Sequence, residues 1–301
     1  MSKLRLGPIN AATPTPLKPD GSFDKASAVR LMKRCIDIKL DGVFIMGSMG
    51  EGTLLSEETR NAYVETALDA VGDKLVVFAG AIDVSPVRIR ERALRYAKMG
   101  AHCVVMSLPQ GRTPAGAIAE IKAIADACPV PCAYYDAPGQ QGITLVRDEM
   151  LDLLSHPNIP VCKDSSGNPL IAKGLTMPGK RPDCFIVDGS EYRTVFSAEV
   201  GYNGLLHGGG VLTGRRIRAI WEKANAGQLK EAFELDRDNS IFLATIYNRF
   251  SRPLQNTLGQ KYALKLLGVF DHETVILDQH LDDASRARIA KAVEADKRWI
   301  A

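Results

Sequence analysis

Residues 75–106 read LVVFAGAIDVSPVRIRERALRYAKMGAHCVVM. An apolar, β-rich run, Leu75–Gly80, is followed by Ser85-Pro86 and a helix-period stretch, and then by a second apolar run, Cys103–Met106. Proline at a first helical position presets φ and gives up an N–H that would have no helical partner there. Both runs are short and apolar at successive positions. That is the pattern of strands in a parallel sheet covered by helices on both faces. The same unit recurs in both directions along the chain. The other candidate strands are Ile9–Thr13, Gly42–Met46, Pro131–Tyr135, Ile159–Cys162, Cys184–Val187 and Gly204–Leu206. Amphipathic stretches separate them. Ala26–Lys39 brings Ala28, Leu31, Met32, Cys35, Ile36 and Ile38 near one face. Ser56–Ala70 opens with a capping serine and acid in the first turn, Thr113-Pro114 repeats the Ser85-Pro86 signal, and Thr213 can cap a helix running to about Lys223.

Strands in strict alternation with helices predict an α/β fold. Parallel strands need crossover connections, and eight such units close into a (β/α)8 TIM barrel. A doubly wound open sheet is the alternative, because periodicity does not report closure. The units occupy residues 1–225. Residues 226–301 read as helices only, at Gln228–Asn248, Leu254–Leu267 and Ala284–Trp299, with no linker before them. They predict a C-terminal helical extension of the same domain.

The bulk numbers remove other classes. Of 301 residues, 46% are hydrophobic and 24% charged, which suits a soluble globular protein and not a disordered one. A net charge of +3 and 6% aromatic residues predict no nucleic-acid footprint and no base-stacking platform. No apolar stretch approaches a membrane span, and MSKLRLGPIN lacks the apolar core of a signal peptide, so a cytoplasmic protein is expected. The six cysteines are spread through apolar runs and read as buried thiols. Cys128 and Cys132 have no second Cys/His pair to complete a zinc site, and the five histidines show no metal-binding spacing, so no metal is expected.

In such a barrel the active site lies at the C-terminal ends of the strands. Lys163 directly follows Ile159-Pro160-Val161-Cys162. Withdrawing an amine from water disfavours its charged form, and a neutral amine attacks ketones to give a Schiff base. The plain alternative is a strand-end lysine that reaches solvent or pairs with Asp164. Tyr135 ends the neighbouring strand. A phenol beside an iminium cation can move protons onto and off a carbinolamine oxygen, although a lone tyrosine is commonly a core aromatic with a satisfied hydroxyl. Gly47-Ser48-Met49-Gly50-Glu51-Gly52 offers backbone N–H groups and the Ser48 hydroxyl at a tight turn leading to a helix, which suits a carboxylate as well as a phosphate. Gly208-Gly209-Gly210 also lies where many barrels bind phosphate, but no Lys or Arg follows until Arg215 and Arg216.

Together these pieces resemble the dihydrodipicolinate synthase / N-acetylneuraminate lyase family of class I, Schiff-base-forming aldolases. Gly47-Ser48-Met49-Gly50-Glu51 is similar to the family's G-[ST]-[ST]-G-E motif, Tyr135-Asp136-Ala137-Pro138 to Y-N-x-P, and Lys163-Asp164-Ser165-Ser166-Gly167 to K-[DE]-x-[ST]-G. Asp188-Gly189-Ser190-Glu191 falls where the family has S-G-x-[DE], and the stretch from Lys261 to Gly268 resembles its C-terminal helix. The resemblance implies that Lys163 forms the Schiff base with pyruvate or another 2-oxo acid. It implies that Tyr135 shuttles protons with Ser48, and that Ser48 and Met49 hold the carboxylate. It sets Gly47, Gly189, Ser190, Glu191, Leu206, His207 and Gln140 around the substrate. It implies no cofactor beyond the covalent lysine adduct, and a homotetramer built as a dimer of dimers.

The departures narrow the substrate. In the synthase, the resemblance implies a second hydroxyl where Met49 stands, a tyrosine after the fourth strand contributed by a neighbouring subunit, and an arginine after Y-N-x-P for the aldehyde substrate's carboxylate. Here the loop is Met106-Ser107-Leu108-Pro109-Gln110-Gly111-Arg112, and the later stretch is Gly139-Gln140-Gln141-Gly142. Losing a cation opposite a carboxylate weakens binding. A lyase acting on a 2-keto-3-deoxy sugar acid or a sialic-acid-like compound, by cleavage or dehydration, is the leading expectation. A true dihydrodipicolinate synthase and a non-catalytic 2-oxo-acid-binding protein are the others. Intact Lys163 and Tyr135 speak against the last. Gln140, Ser190, Glu191 and His207 either meet the hydroxyls of a longer substrate or support residues that do. Asp136, in place of the motif's Asn, either adjusts nearby acidity or caps a turn.

Overall fold

The computed structural model of the chain describes residues 4–177, 183–247 and 255–300. Its strands are β1 (Ile9–Ala12), β2 (Gly42–Ile45), β3 (Val76–Gly80), β4 (Cys103–Met106), β5 (Cys132–Asp136), β6 (Val161–Asp164), β7 (Phe185–Asp188) and β8 (Gly204–His207). All pair in parallel with their sequence neighbours, and β8 returns to β1 with Ile9 opposite Leu205. The sheet is therefore a closed (β/α)8 barrel, and the open-sheet alternative falls.

Side chains alternate across each strand. One set, including Ala12, Phe44, Phe78, Val105, Ala133, Tyr135, Val161, Val187 and Leu206, fills the barrel. The other set, including Ile9, Val43, Val77, Val104, Tyr134, Cys162 and Leu205, packs under the helices. Those helices are α1 (Lys25–Asp37), α2 (Glu57–Val71), α3 (Pro86–Lys98), α4 (Pro114–Ala127), α5 (Pro138–Gln141), α6 (Arg147–Leu154), α7 (Pro169–Thr176), α8 (Thr194–Val200) and α9 (Gly210–Asn225). Their starts follow from side-chain caps: Asp24, Ser56, Thr113 and Asn168 each accept a backbone N–H of the first turn. On α1, Ala28, Leu31, Met32 and Cys35 are buried, as the periodicity predicts.

Thr213 stands at a kink, at a non-helical φ of −111°, where the first turn after β8 gives way to the longer helix read from the sequence; its hydroxyl bonds back to the Gly209 carbonyl at 3.2 Å. The helix starts earlier because the glycines after β8 let the backbone turn at once. A Cβ at Gly210 would come within 2.7 Å of the Ala11 Cβ.

The C-terminal extension consists of α10 (Leu229–Ile246), α11 (Gln255–Leu266), α12 (Asp283–Ala295) and the short α13 (Lys297–Ile300). α10 packs on α8 and α9. Asn248 and Leu254, expected at helix ends, lie outside the described residues. Among the described residues the cysteines form no disulfide, and no helix is long and apolar enough to cross a membrane.

Candidate active site

Lys163 lies within β6, not after it, because ladder pairing continues past the apolar run: Lys163 stands opposite Tyr135 on one side and Val187 on the other. Its side chain is only 5% exposed. Its Nζ sits 4.3 Å from the centroid of the Tyr135 ring and 5.0 Å from that of Phe44. Phe44 meets Tyr135 edge-on at 86°, fixing the ring beneath the amine. Gly189, at the end of β7, makes room for the lysine stem: a Cβ there would stand 2.9 Å from Lys163 Cε.

The carboxylates adjacent in the chain and in register are engaged elsewhere. Asp164 accepts from the Tyr202 hydroxyl at 2.5 Å and the Ser166 N–H at 2.8 Å, so it is not a partner held by Lys163. Asp188 is taken by Arg193 at 2.7 Å and by the Ser197 hydroxyl. Asp136 accepts from Tyr134 at 3.0 Å and Gln141 at 3.4 Å. Burial pushes the Asp136 carboxyl up to about 6; the Tyr134 hydrogen bond opposes this and the Asp164 charge adds to it.

The turn after β2 is built on two residues in the left-handed region, Met46 (φ 60°) and Glu51 (φ 57°). The N–H groups of Gly50 and Gly52 both donate to the Gly47 carbonyl at 3.0 Å, closing a compact loop. Gly52 must be glycine, since a Cβ would collide with the Met46 carbonyl oxygen at 1.9 Å. The Ser48 hydroxyl lies 3.2 Å from the Tyr135 hydroxyl. The turn runs into a short 3-10 segment, Gly52–Leu54, while α2 begins at Glu57 and is capped by Ser56. The turn is thus a separate feature from the N-terminus of α2.

Around the remaining rim, Glu191 accepts from the Tyr247 hydroxyl at 2.9 Å and the Gly208 N–H at 3.0 Å. The Ser190 N–H donates to Asp188 at 2.9 Å. Leu206 belongs to the barrel interior with Tyr135, so strand alternation turns His207 toward the helix layer. His207 is fully buried, and among the described residues neither ring nitrogen has a hydrogen-bond partner. Burial pushes its imidazole down, against the pull of Glu191 and Asp188.

The sequence profile of the dihydrodipicolinate synthetase family matches residues 5–293. The chain belongs to the dihydrodipicolinate synthetase family. It is similar to the 4-hydroxy-tetrahydrodipicolinate synthase of Acidothermus cellulolyticus, with 29% identity over 269 residues, covering 87% of this chain and 83% of that one. It is 34% identical over 166 residues to the enzyme of that name from Mycolicibacterium gilvum, covering 54% of this chain and 55% of that one, about half the relative's length. Among solved structures, a chloride-inhibited dihydrodipicolinate synthase from Acinetobacter baumannii complexed with pyruvate superposes with a TM-score of 0.88 at 22% identity, covering 98% of this chain and 100% of that one. At that identity the likeness speaks for the fold.

In this member of the family, Met49 lies where its methyl would meet a Cβ at Gly208 at 2.4 Å, and its sulfur is 3.6 Å from the Thr257 hydroxyl. The thioether is thus packed between the loops after β2 and β8. A cavity of about 380 Å³ opens beside Ser48 and runs over Thr53, Asp83, Ser107, Gln110 and Gln141. No Lys or Arg lines it among the described residues. Asp83, on that wall, is locked to Arg88 at 2.6 Å and Arg92 at 2.7 Å; despite its burial these partners hold its carboxyl down at about 2. Gln140 lies in α5, and its side chain is outside the described part of the structure. Its neighbour Gln141 is buried and accepts from the Leu108 N–H at 2.8 Å. Sequence reading does not single out Gln141, Asp83 or Tyr247: Gln141 reads only as part of the stretch after the tyrosine motif, and neither Asp83 nor Tyr247 belongs to a motif.

Proposed function

We propose that the chain is a Schiff-base-forming lyase acting on a 2-oxo acid such as a 2-keto-3-deoxy sugar acid or a sialic-acid-like compound. The observation that carries this reading is the placement of Lys163 Nζ, buried and 4.3 Å from the Tyr135 ring, with the Tyr135 hydroxyl in reach of Ser48. The amine attacks the ketone carbon, and the carbinolamine loses water as Tyr135 gives its proton to the departing oxygen. The iminium then accepts electrons. When the phenolate takes the proton of the C4 hydroxyl, the C3–C4 bond breaks, an aldehyde leaves, and the electron pair remains in the enamine. Protonation at C3 and hydrolysis of the iminium release pyruvate and restore the lysine. Loss of a proton from C3 and of hydroxide from C4 is the dehydration branch of the same intermediate. The lysine nitrogen serves as electron sink, so the reaction calls for no metal or dissociable cofactor.

The substrate carboxylate sits on Ser48 and the backbone N–H groups of the turn. The uncharged Ser107, Gln110 and Gln141 of the cavity wall favour a hydroxylated chain over a second carboxylate. Borohydride reduction in the presence of pyruvate should add mass to Lys163, and no trapping with any 2-oxo acid would sink the reading. A panel of 2-oxo acids assayed for pyruvate release, beside Lys163→Ala, identifies the substrate.

A second reading is 4-hydroxy-tetrahydrodipicolinate synthase, favoured by the names of the curated relatives. Turnover of aspartate semialdehyde with pyruvate, faster than cleavage of any sugar acid in the panel, would establish it instead.

A further inference from the structure

Three side chains of α11, spaced by three and four residues, reach from the C-terminal extension into the site. The Thr257 hydroxyl donates to the Met49 carbonyl at 3.2 Å, the Gln260 amide to the Gly208 carbonyl at 2.6 Å, and Lys261 Nζ to the Glu51 carboxylate. All three side chains are buried. Lys261 also donates to the Thr274 carbonyl at 2.6 Å, and the second Glu51 oxygen takes the Ile276 N–H at 2.7 Å. The contacts converge on the loops after β2 and β8, which pack against each other through Met49 and Gly208. They fix the Met49–Gly50 peptide at both ends, its carbonyl by Thr257 and its N–H by the Gly47 carbonyl. They also fix Glu51, whose left-handed backbone persists only where its surroundings over-determine it.

We propose that Thr257, Gln260 and Lys261 are positioning residues that hold the Ser48–Met49 turn in the shape that receives a substrate carboxylate. The affinity of the site for 2-oxo acids is then set from outside the barrel. This rests on the Schiff-base reading. A structural brace alone would lower stability; a brace on the carboxylate turn acts on half-saturation, because a misdirected N–H weakens ground-state binding more than it slows the lysine.

The test measures adduct formation on Lys163 against pyruvate concentration, with borohydride trapping. Thr257→Val keeps the side-chain shape and removes the hydroxyl. It should raise half-saturating pyruvate about five-fold, the loss of roughly one hydrogen bond, with a limiting rate within about two-fold of wild type. Thr257→Ser should restore the wild-type value, and Lys265→Ala, at an exposed ion pair of the same helix, should leave it unchanged. Lys261→Met would strand a buried carboxylate, so Glu51→Gln with Lys261→Met removes both charges together and should again raise half-saturation. Adduct in the wild type with unchanged half-saturation in Thr257→Val overturns the proposal alone. Equal loss of limiting rate and thermal stability without a shift in half-saturation also overturns it. No adduct in the wild type overturns the Schiff-base reading and this proposal with it.

Discussion

Gly189→Ala probes the packing of the reactive lysine most directly. An alanine Cβ would stand 2.9 Å from Lys163 Cε and 1.9 Å from Ser165 Oγ. Non-bonded carbons rest at about 3.5–4.0 Å, so the lysine stem has to retreat by roughly 0.6 Å or more. The serine oxygen can rotate away; the lysine is held between the Tyr135 and Phe44 rings and cannot move without changing its aim. Overpacking of this kind costs about 1–3 kcal/mol of stability. A displacement approaching 1 Å at a reacting atom costs about 100-fold in rate. The variant should therefore fold, melt a few degrees lower, and form the trapped pyruvate adduct about 10- to 100-fold more slowly. Adding Ser165→Ala removes the closer contact and leaves the one to Lys163, so it should recover much of the melting temperature and little of the rate. Mass spectrometry of the borohydride-reduced protein, with circular dichroism melts, measures both. Trapping by Gly189→Ala at the wild-type rate would refute the reasoning, and so would full recovery of rate in the double variant.

Tyr135→Phe keeps the ring under the amine and removes the hydroxyl, so adduct formation should slow by about 10²–10⁴-fold with little change in half-saturating pyruvate, measured by the same trapping assay. Ser48→Ala should instead act mainly on half-saturation, raising it by roughly two- to ten-fold. Asp136 has its carboxyl raised to about 6 in the folded chain, so its contribution to stability is fully present below the unfolded value of about 3.8 and is lost as pH rises through 6. Asp136→Asn should accordingly stabilise the protein by about 1–3 kcal/mol at pH 8 and by almost nothing at pH 4, read from denaturant melts at the two pH values. Leu54 and Val84, which line the cavity, expose 42% and 48% of their surface, and Val87, in the first turn of α3, exposes 63%. Sedimentation should give four times the mass of one chain, and Val87→Lys should shift the protein to smaller species.

The barrel was legible because parallel strands buried on both faces leave short apolar runs, and each run quoted from the sequence became a strand. Their C-terminal ends were not, because there the pattern that marks a buried strand breaks. Asp136, Lys163, Asp164, Asp188 and His207 are polar, yet backbone pairing with neighbours carries the ladder through all of them. Ser85 and Thr113 start helices as read, since proline follows each. Thr213 marks the start of the longer stretch of α9 as read, but its hydroxyl bonds to the carbonyl four residues back. Tyr135 and Lys163 stood out at the ends of apolar runs, and Ser48 in a glycine-rich turn after one. The supports did not: Lys261 and Glu51 are 210 residues apart, and nothing local to either announces the other. Gln141 was not legible either: its burial beside Asp136 depends on the turn of α5, which no local pattern in the sequence reports.

Asp136, Asp164 and Asp188 stand opposite one another on three successive strands, one residue past Tyr135, Lys163 and Val187. A row of like charges in a buried layer is unfavourable, and each member is relieved differently: Asp188 by the Arg193 guanidinium, Asp164 by the Tyr202 hydroxyl, Asp136 by Tyr134 and Gln141. Alternation sends these carboxylates to the helix side while Tyr135 and Lys163 face the barrel interior. The layering turns Lys163 Nζ away from the three carboxylates and toward the Tyr135 and Phe44 rings. It also accounts for the strand ends remaining paired beyond their apolar cores: the outward carboxylates tie each strand to the helix or loop behind it, and in doing so fix the direction of the side chains that point inward.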